Sequence, residues 1–319
     1  PTQELNMLKV IARRLLFAIP LLWVVATISF FLVSFIPGDP AQTILGESAT
    51  AADIAKLRHQ LGLDQPLLVQ YVVWLGQIVR GDFGTSIILN VSTWDAIAPC
   101  IPITTTIAVL ATLFAFLIGI TLGTLAVVRG GLIDRLVRVW AGISNAIPNF
   151  WLAVLLVLIF ALKLGWFPAV NWVPFSTSPV EWAKSWILPV TAVSLMGSAT
   201  VARQARAALL TTLSRDYVRT LLAAGVSRRS VLFKHALRNA AAPVLTVLGF
   251  QFIGLLGGSI IVEQVFALQG LGSLVQNAIY TKDLPIVQGI VIFAAVMVVI
   301  VNLAIDIFYA WLNPKVRTA

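Results

Sequence analysis

Long apolar runs alternate with short polar segments along most of this chain. About 20 consecutive apolar residues suffice for a helix to cross the hydrocarbon core of a bilayer. Six runs reach that length, so the pattern predicts six transmembrane helices. These predicted spans are Leu15–Ile36, Ile101–Val128, Val139–Leu162, Trp186–Ala208, Asn239–Val262 and Leu284–Ile305.

Two of the predicted spans carry residues that modify a plain helix. Pro148 lies inside the third span, where its ring removes a backbone hydrogen bond and predicts a kink. Arg203 and Arg206 close the fourth span, and we expect both side chains to extend towards the membrane interface. The first span is longer than the apolar core of a signal peptide, about 7–15 residues, so we expect it to remain as an anchor.

The segment between the first two spans, 37–100, has the pattern of a small helical cap. Thr50 and Asp53 have the spacing of a capping box, and Gly62 is a helix stop. A second helix is predicted after Pro66, with a stripe at Leu68, Val72, Leu75 and Val79 and an end at Gly81. The stripe favours packing of this cap on the bundle over direct contact with a ligand.

Composition agrees with a membrane protein. The chain has 319 residues, of which 59% are hydrophobic and 11% are charged, whereas a soluble domain has about 25% charged residues. The fold class is therefore all-α and polytopic. The net charge of +9 lies at the ends of apolar runs and does not indicate nucleic-acid binding. The single cysteine excludes an internal disulfide, and the two histidines make no metal-ligand pattern.

The basic residues predict the orientation. With the N-terminus in the cytoplasm, 16 of the 22 Lys and Arg residues fall on the inner side, including Lys315 and Arg317 near the end. The positive-inside rule favours this arrangement, with both termini cytoplasmic.

One inner segment is unusually rich in basic residues. Eight of them and one acid, Asp216, lie between Arg203 and Arg238. Val218, Leu221 and Leu222 share one helical face, and Ser227 is suited to start a second helix after Gly225. The pattern predicts two helices joined at a glycine. Charge count alone would favour the alternative, a basic juxtamembrane segment that binds anionic lipid.

The order of residue types in this segment resembles the cytoplasmic coupling loop of ABC importer permeases. The similarity is to the dipeptide/oligopeptide (peptide/nickel) transport family, first-permease type. Two departures from the general motif are present: Arg219-Thr220-Leu221 stands where Glu-Ala-Ala is usual, and Arg238 where Pro is usual. The matching residues are Asp216, Tyr217, Val218, Arg219, Thr220, Ala224, Gly225, Ser227, Arg228, His235, Ala236, Leu237, Arg238, Asn239 and Pro243.

Further motifs of the same family follow in order along the chain. Each is weak alone, and together they carry the resemblance over nearly the whole sequence. They are Ile36-Pro37-Gly38-Asp39-Pro40, Leu61-Gly62-Leu63-Asp64-Gln65-Pro66, Gly81-Asp82-Phe83-Gly84-Thr85-Ser86, Val262-Glu263-Gln264-Val265-Phe266, Gly270-Leu271-Gly272 and Asp283-Leu284-Pro285.

The resemblance implies the type I ABC importer permease fold and a non-catalytic subunit of an ATP-driven importer. It implies three parts: 1–36, the cap 37–100, and the core 101–319 with a coupling loop at 209–238. Implied partners are a second homologous permease, two ATPase subunits that hold ATP and Mg, an extracytoplasmic binding protein and the bilayer. Peptide is the expected cargo, and nickel chelates, glutathione and haem stay open. The implied contacts with the ATPase are Asp216, Tyr217, Arg219, Thr220, Ala224, Gly225, Ser227, Arg228, His235 and Arg238.

The segment after the fifth span is expected to form an outer gate. Gly270 and Gly272 would permit a tight re-entrant turn, while Phe266 and Leu271 would plug the passage. Glu263 begins this segment, close to the interface. A plain hairpin connector is the alternative.

Two other classes of membrane protein are disfavoured. The chain has no P-loop and no catalytic set of side chains for an intramembrane enzyme. A proton-coupled carrier would need a carboxylate near the midplane, whereas Glu263 and Asp306 lie at the ends of spans. The polar residues within spans are expected to bond between helices, and the glycines either to pack tightly or to line a passage. These residues are Asn145, Asn149, Gln251 and Asn302, and Gly119, Gly123, Gly254, Gly257 and Gly258.

Overall fold

A computed structural model describes residues 2–35, 38–46, 49–170 and 172–312. Within them, the side chains of 2–12, 43, 145, 149, 258 and 309–312 are outside the description. The motif residues Ile36 and Pro37 and the basic residues Lys315 and Arg317 therefore lie outside the described residues, as do the surroundings of Asn145, Asn149 and Gly258.

The described chain is helical, as the apolar pattern predicts. Apart from one isolated bridge between Thr85 and Ser92, these ranges contain no β-structure. Two π-helical segments, Val157–Lys163 and Val231–Ala236, interrupt the α-helices. The α-helices are α1 Thr2–Ser34, α2 Pro40–Leu45, α3 Ala51–Gln60, α4 Leu67–Val79, α5 Thr93–Ile97, α6 Ile101–Arg129, α7 Gly131–Ala146, α8 Asn149–Leu156, α9 Pro179–Leu213, α10 Asp216–Ala223, α11 Arg228–Ser230, α12 Leu237–Gly258, α13 Ile260–Val265, α14 Leu271–Thr281 and α15 Leu284–Leu312.

The chain divides into two compact units. The core unit comprises 1–12, 105–268 and 300–319, and the cap unit comprises 13–104 and 269–299. Each unit has its own packing, described in turn below.

Five helical stretches in the described residues are long and apolar enough to cross a membrane. They correspond to the first, second, fourth, fifth and sixth predicted spans. The third predicted span, Val139–Leu162, is interrupted at Pro148, where a kink was predicted, and the interruption is a complete break. Ile147 and Pro148 leave the helical conformation, with ψ near 126° and 136°, and separate α7 from α8. Proline disfavours helix in the residue before it and cannot donate to the preceding turn, so the kink becomes a break.

The fourth span is longer than predicted and ends differently. Helix α9 runs from Pro179 to Leu213 and carries Arg206 well inside its length. Arg206 does not extend freely from the helix, because its guanidinium forms a bidentate ion pair with Asp134 of α7.

Helix α9 is the centre of the core unit. Val201 and Ala205 of α9 pack with Val244 and Leu248 of α12 in one buried cluster. On α6, Gly119 brings the backbone so close to α9 that an added Cβ would lie 2.5 Å from Cβ of Val201. Gly123 is equally tight against Ala202 and Ala205, so this pair packs helices. Gly254 and Gly257 face open space instead.

In the cap unit, aromatic side chains attach α4 to α1. The ring centroids of Phe30 and Trp74 are 5.1 Å apart, and those of Phe31 and Tyr71 are 5.6 Å apart. The Tyr71 hydroxyl also lies 2.7 Å from Oγ1 of Thr27. Packing of the cap on a span is therefore present.

The predicted apolar stripe of α4 is not the face that packs. Leu68, Val72 and Val79 are all more than 60% exposed. The sequence pattern missed this because α4 is apolar nearly all round, and the aromatic residues decide which face is buried. Both predicted helix ends are correct, since Gly62 and Gly81 adopt positive φ directly after α3 and α4.

A buried carboxylate holds the loop before α5. Asp283 is 2% exposed and accepts hydrogen bonds from the Ser86 hydroxyl and from the backbone N–H of Ile87 at 3.2 Å. Below it, Ile97, Cys100 and Ile286 belong to one buried cluster. These contacts explain why the Gly-Thr-Ser and Asp-Leu-Pro motifs, far apart in sequence, occur in one chain.

Candidate functional site

The predicted coupling segment, 209–238, consists of two helical pieces joined by a short turn, as the sequence predicts. Helix α9 ends at Leu213, α10 begins at Asp216, and α11 begins after Ser227. The Ser227 hydroxyl accepts from the backbone N–H of Ser230 at 3.3 Å, which is the predicted N-cap.

Gly225 makes the turn between the two pieces. Its φ is +82°, and two backbone bonds close the end of α10: Gly225 N to Leu222 O at 3.1 Å and Val226 N to Leu221 O at 3.0 Å. This is a Schellman ending, which requires the left-handed conformation at that position. An added Cβ on Gly225 would meet no atom within 4 Å. The glycine therefore permits the left-handed backbone conformation of the turn, and the space beside its Cα is open.

Buried contacts hold α10 against the following helices. Val218 is 4% exposed, and the Tyr217 hydroxyl accepts from the Asn239 side-chain amide at 3.0 Å. The start of the next piece is anchored by Leu232 and Ala236, which cluster with Leu209 at the end of α9. The coupling segment is thus a fixed protrusion of the core unit.

The remaining predicted contact residues divide by exposure. Tyr217 and His235 are half-buried. Tyr217 helps to hold the segment in place through its hydrogen bond with Asn239. Asp216 and Arg219 form only a loose pair at 3.8 Å with highly exposed side chains. Such a pair adds little stability and leaves both charges available to a partner. The other exposed members are Thr220, Ala224, Gly225, Ser227, Arg228 and Arg238.

Two apolar side chains at this segment are exposed, and only one of them, Leu222, was singled out by the sequence pattern. Phe233 is 61% exposed and Leu222 is 41% exposed. Phe233 lies next to Lys234 in a run of basic residues. A large apolar side chain among charged residues was the sequence signal that could have indicated an exposed apolar contact. Leu222 was assigned to the packed stripe, but Val218 carries that contact.

An ion-pair cluster lies between α7 and α9 of the core unit. Arg206 Nη2 lies 3.0 Å from Asp134 Oδ2, and Arg138 Nη2 approaches the same oxygen at 3.2 Å. The hydrogen bond from Arg206 lowers the pKa of Asp134 below its usual value. The sequence reasoning counted these arginines only as topology signals and overlooked the acid.

The first half of the predicted outer gate lies in the core unit and is buried. Glu263 is fully buried and accepts from the Ser259 hydroxyl at 2.7 Å. Glu263 follows the end of the fifth span, as expected, but neighbouring residues enclose it, so its carboxyl group is not exposed to water in the core unit. Phe266 is 2% exposed, and the chain then turns at Ala267, whose φ is +50°.

The second half lies in the cap unit. Gly270 precedes α14 with φ −91° and ψ −177°, an extended conformation that any residue adopts. Gly272 is already inside the helix. The predicted turn at these glycines is therefore wrong, and Ala267 supplies the unusual conformation. The backbone N–H of Leu271 donates to Thr104 Oγ1 at 2.8 Å in a buried contact.

Comparison with protein families decides what kind of membrane protein this is. A family model described as the inner membrane component of binding-protein-dependent transport systems matches residues 115–318. Its companion, the N-terminal part of the same membrane component, matches residues 7–117. The chain belongs to this family.

Relatives of known name cover the permease from end to end. A Brucella abortus (strain 2308) protein, provisionally named a peptide transport system permease protein, is 41% identical over 98% of this chain and 99% of its own length. The glutathione transport system permease protein GsiC of Salmonella typhimurium (strain LT2) is 40% identical over 98% of this chain and 99% of its own length.

A solved structure agrees on the fold. The crystal structure of an amino acid ABC transporter with histidines superposes with a TM-score of 0.50 at 19% identity, over 67% of this chain and 92% of that one. The chain is a multi-pass inner membrane protein with a type I importer permease fold, and it is the permease subunit of an ABC importer. The family implies ATPase and binding-protein partners.

Proposed function

We propose that this permease forms the translocation path for peptides delivered by an extracytoplasmic binding protein. Both kinds of relative support this cargo, since one is named for peptide transport and the other for glutathione, itself a tripeptide. Nickel chelates and haem are the alternatives. Among the described residues no group of three His, Cys, Asp or Glu side chains could hold a metal ion, which gives a chelated metal no obvious ligand here.

The coupling segment carries the mechanism. Two partner ATPase subunits bind ATP and Mg and close on the cytoplasmic side, and one of them contacts α10, Gly225 and α11. The observation that supports this is a fixed protrusion with exposed basic residues and open space at Gly225. The chain itself carries no catalytic group, and a second homologous permease completes the path.

The orientation places both termini and the coupling segment in the cytoplasm and the cap, 37–100, outside. In this arrangement Glu263, Phe266, Gly270, Leu271 and Gly272 face the delivered cargo as an outer gate. The burial of Phe266 within the core unit supports a closed plug. The predicted division into 1–36, 37–100 and 101–319 belongs to the same proposal.

Purified complex tests the cargo directly. The chain, its partner permease, the ATPases and the binding protein are reconstituted in proteoliposomes. ATP hydrolysis is then measured with a dipeptide, a longer peptide, glutathione, a nickel chelate or haem. We expect stimulation by one of the peptides. Stimulation by the chelate or haem alone would contradict the peptide assignment and leave the importer assignment intact.

A further inference from the structure

A cavity of about 720 Å³ lies in the core unit beside the break in the third predicted span. Sites for small molecules typically have about 300–1,000 Å³. Non-helical backbone at membrane depth is tolerated only where protein covers it or a cavity adjoins it. The non-helical residues Ile147 and Pro148 line this cavity together with Met196 and Gly197 of α9 and Gln251 of α12.

Two of the residues that line the cavity carry covered polar atoms that lack hydrogen bonds. The Nε2 and Oε1 atoms of Gln251 are both covered and have no partner among the described residues, and the Ser144 hydroxyl is in the same condition. Buried polar groups are almost always paired, because leaving one unpaired is unfavourable. An unpaired amide together with an unpaired hydroxyl at one cavity therefore needs an explanation.

Gly197 is the reason that the amide can occupy its present position. A Cβ added there would lie 1.7 Å from Nε2 of Gln251. The amide thus lies directly against the backbone of α9, which shields it from water but forms no hydrogen bond with it. Rotation about the side-chain torsions of Gln251 would turn it from this contact into the cavity.

The chemistry of the wall restricts the ligand. A glutamine amide offers an acceptor oxygen and a donor nitrogen side by side, which matches the N–H and C=O of a peptide group. The described residues that line the cavity include no charged side chain and no histidine or cysteine. Such a wall offers nothing to a carboxylate, an ammonium group or a metal ion.

We propose that this cavity binds a backbone amide of the cargo during its passage, with Gln251 as the pairing side chain and Ser144 as a second contact. The proposal rests on the proposed peptide import and adds a selection rule to it. The permease recognises the peptide group itself, and no side chain of the cavity wall selects for a charged cargo side chain. Peptides of different sequence then use one path.

The test compares an amide with an ester in the full complex. The probes are tetra-alanine and its analogue in which the central amide is replaced by an ester, each supplied already bound to the binding protein. Uptake into proteoliposomes is measured for wild type, Gln251→Met and Ser144→Ala. Asn302→Leu, which removes an amide on α15 away from the cavity, is the matched control.

We expect wild type to import tetra-alanine about tenfold faster than the ester, the ratio that one hydrogen bond of ordinary strength supports. Gln251→Met should lower the amide rate much more than the ester rate and make the two rates equal, because the ester keeps only the carbonyl that can accept from Gln251. Ser144→Ala should reduce the ratio less, and Asn302→Leu should retain it.

Three results would overturn this assignment. Equal amide and ester rates in wild type would exclude amide recognition. Equal slowing of both probes by Gln251→Met would indicate a structural role. Failure of Gln251→Met to assemble with the second permease, measured by size exclusion, would assign the amide to the subunit interface. Absence of any peptide uptake by wild type would remove the proposed function, and with it this selection rule.

Discussion

At the scale of single residues, Gly225 combines two properties that substitution can separate. Its φ of +82° disfavours every residue with a Cβ, and the space beside it is open. Strain at this φ costs about 1–2 kcal/mol for any L-residue. Bulk should matter only when an ATPase subunit approaches.

The first prediction follows from that separation. Gly225→Ala introduces the strain with little bulk, and Gly225→Trp introduces both. We expect the complex to assemble with either variant. Gly225→Ala should retain most transport, while Gly225→Trp should hydrolyse ATP without importing cargo. Uptake and hydrolysis are measured in the same proteoliposomes, and equal behaviour of the two variants would reject close approach at this position.

Phe266 gives a second prediction at this scale. Its ring is buried in the core unit, so Phe266→Ala leaves a cavity that costs about 3–5 kcal/mol. Phe266→Leu retains most of the volume and controls for general destabilisation. If the ring closes the outer gate, Phe266→Ala should raise ATP hydrolysis in the absence of cargo, and Phe266→Leu should do so less. Unchanged basal hydrolysis in an assembled complex would favour the plain connector.

At the scale of elements, an ion pair joins α7 to α9. Arg206 was expected to carry a free charge, and it is instead paired with Asp134. Arg206 and Asp134 connect these helices near the coupling segment, and the pair lowers the pKa of Asp134. A carboxyl whose pKa is lowered on folding contributes stability above its unfolded pKa and loses it as the pH falls through the folded value. The contribution is therefore present at neutral pH.

Replacing the acid tests that connection. Asp134→Asn leaves Arg206 without its charged partner, and we expect the melting temperature of the purified complex to fall by a few degrees at pH 7. Arg138→Gln removes only the more exposed partner and should change it little. The difference between wild type and Asp134→Asn should shrink below about pH 4. A difference that does not depend on pH would exclude the ion pair as its source.

How far the sequence predicts these elements depends on the kind of signal. Stops at Gly62, Gly81 and Gly225 were predictable because a helix ending of this type has a strong preference for glycine. The packed face of α4 was not, because an evenly apolar helix has no periodicity to read. The turn at Ala267 was also hidden, since it is a Schellman ending of α13, closed by Ala267 N to Gln264 O and Leu268 N to Glu263 O, with alanine where glycine is preferred. Asp134 needed coordinates because its partner Arg206 lies on α9, and Gln251 because the backbone it lies against, at Gly197, also belongs to α9.

At the scale of the whole molecule, the topology remains the most consequential prediction. Cys100 is the one native thiol and is buried in the cap unit, so Cys100→Ala should give a functional background with a small loss of packing. Lys56 and Arg228 are both exposed and suit single cysteine replacements. A membrane-impermeant maleimide should label position 56 in right-side-out vesicles and position 228 only in inside-out vesicles. The opposite pattern would reverse the orientation of the chain.

The π-helical segment Val231–Ala236 has a consequence for the relation between the coupling segment and α12. The backbone N–H of Leu237 bonds to the carbonyl of Leu232, five residues back, in place of four. One extra residue is thereby accommodated within a turn, and each α-helical residue corresponds to about 100° of rotation. Deleting a single residue here would restore the ordinary winding and leave α11 in nearly the same rotational phase relative to α12, because the π-helical turn already absorbs the extra residue. An insertion of the same size into the α-helical part of α12 has no such turn to absorb it and would rotate the coupling segment by roughly that angle.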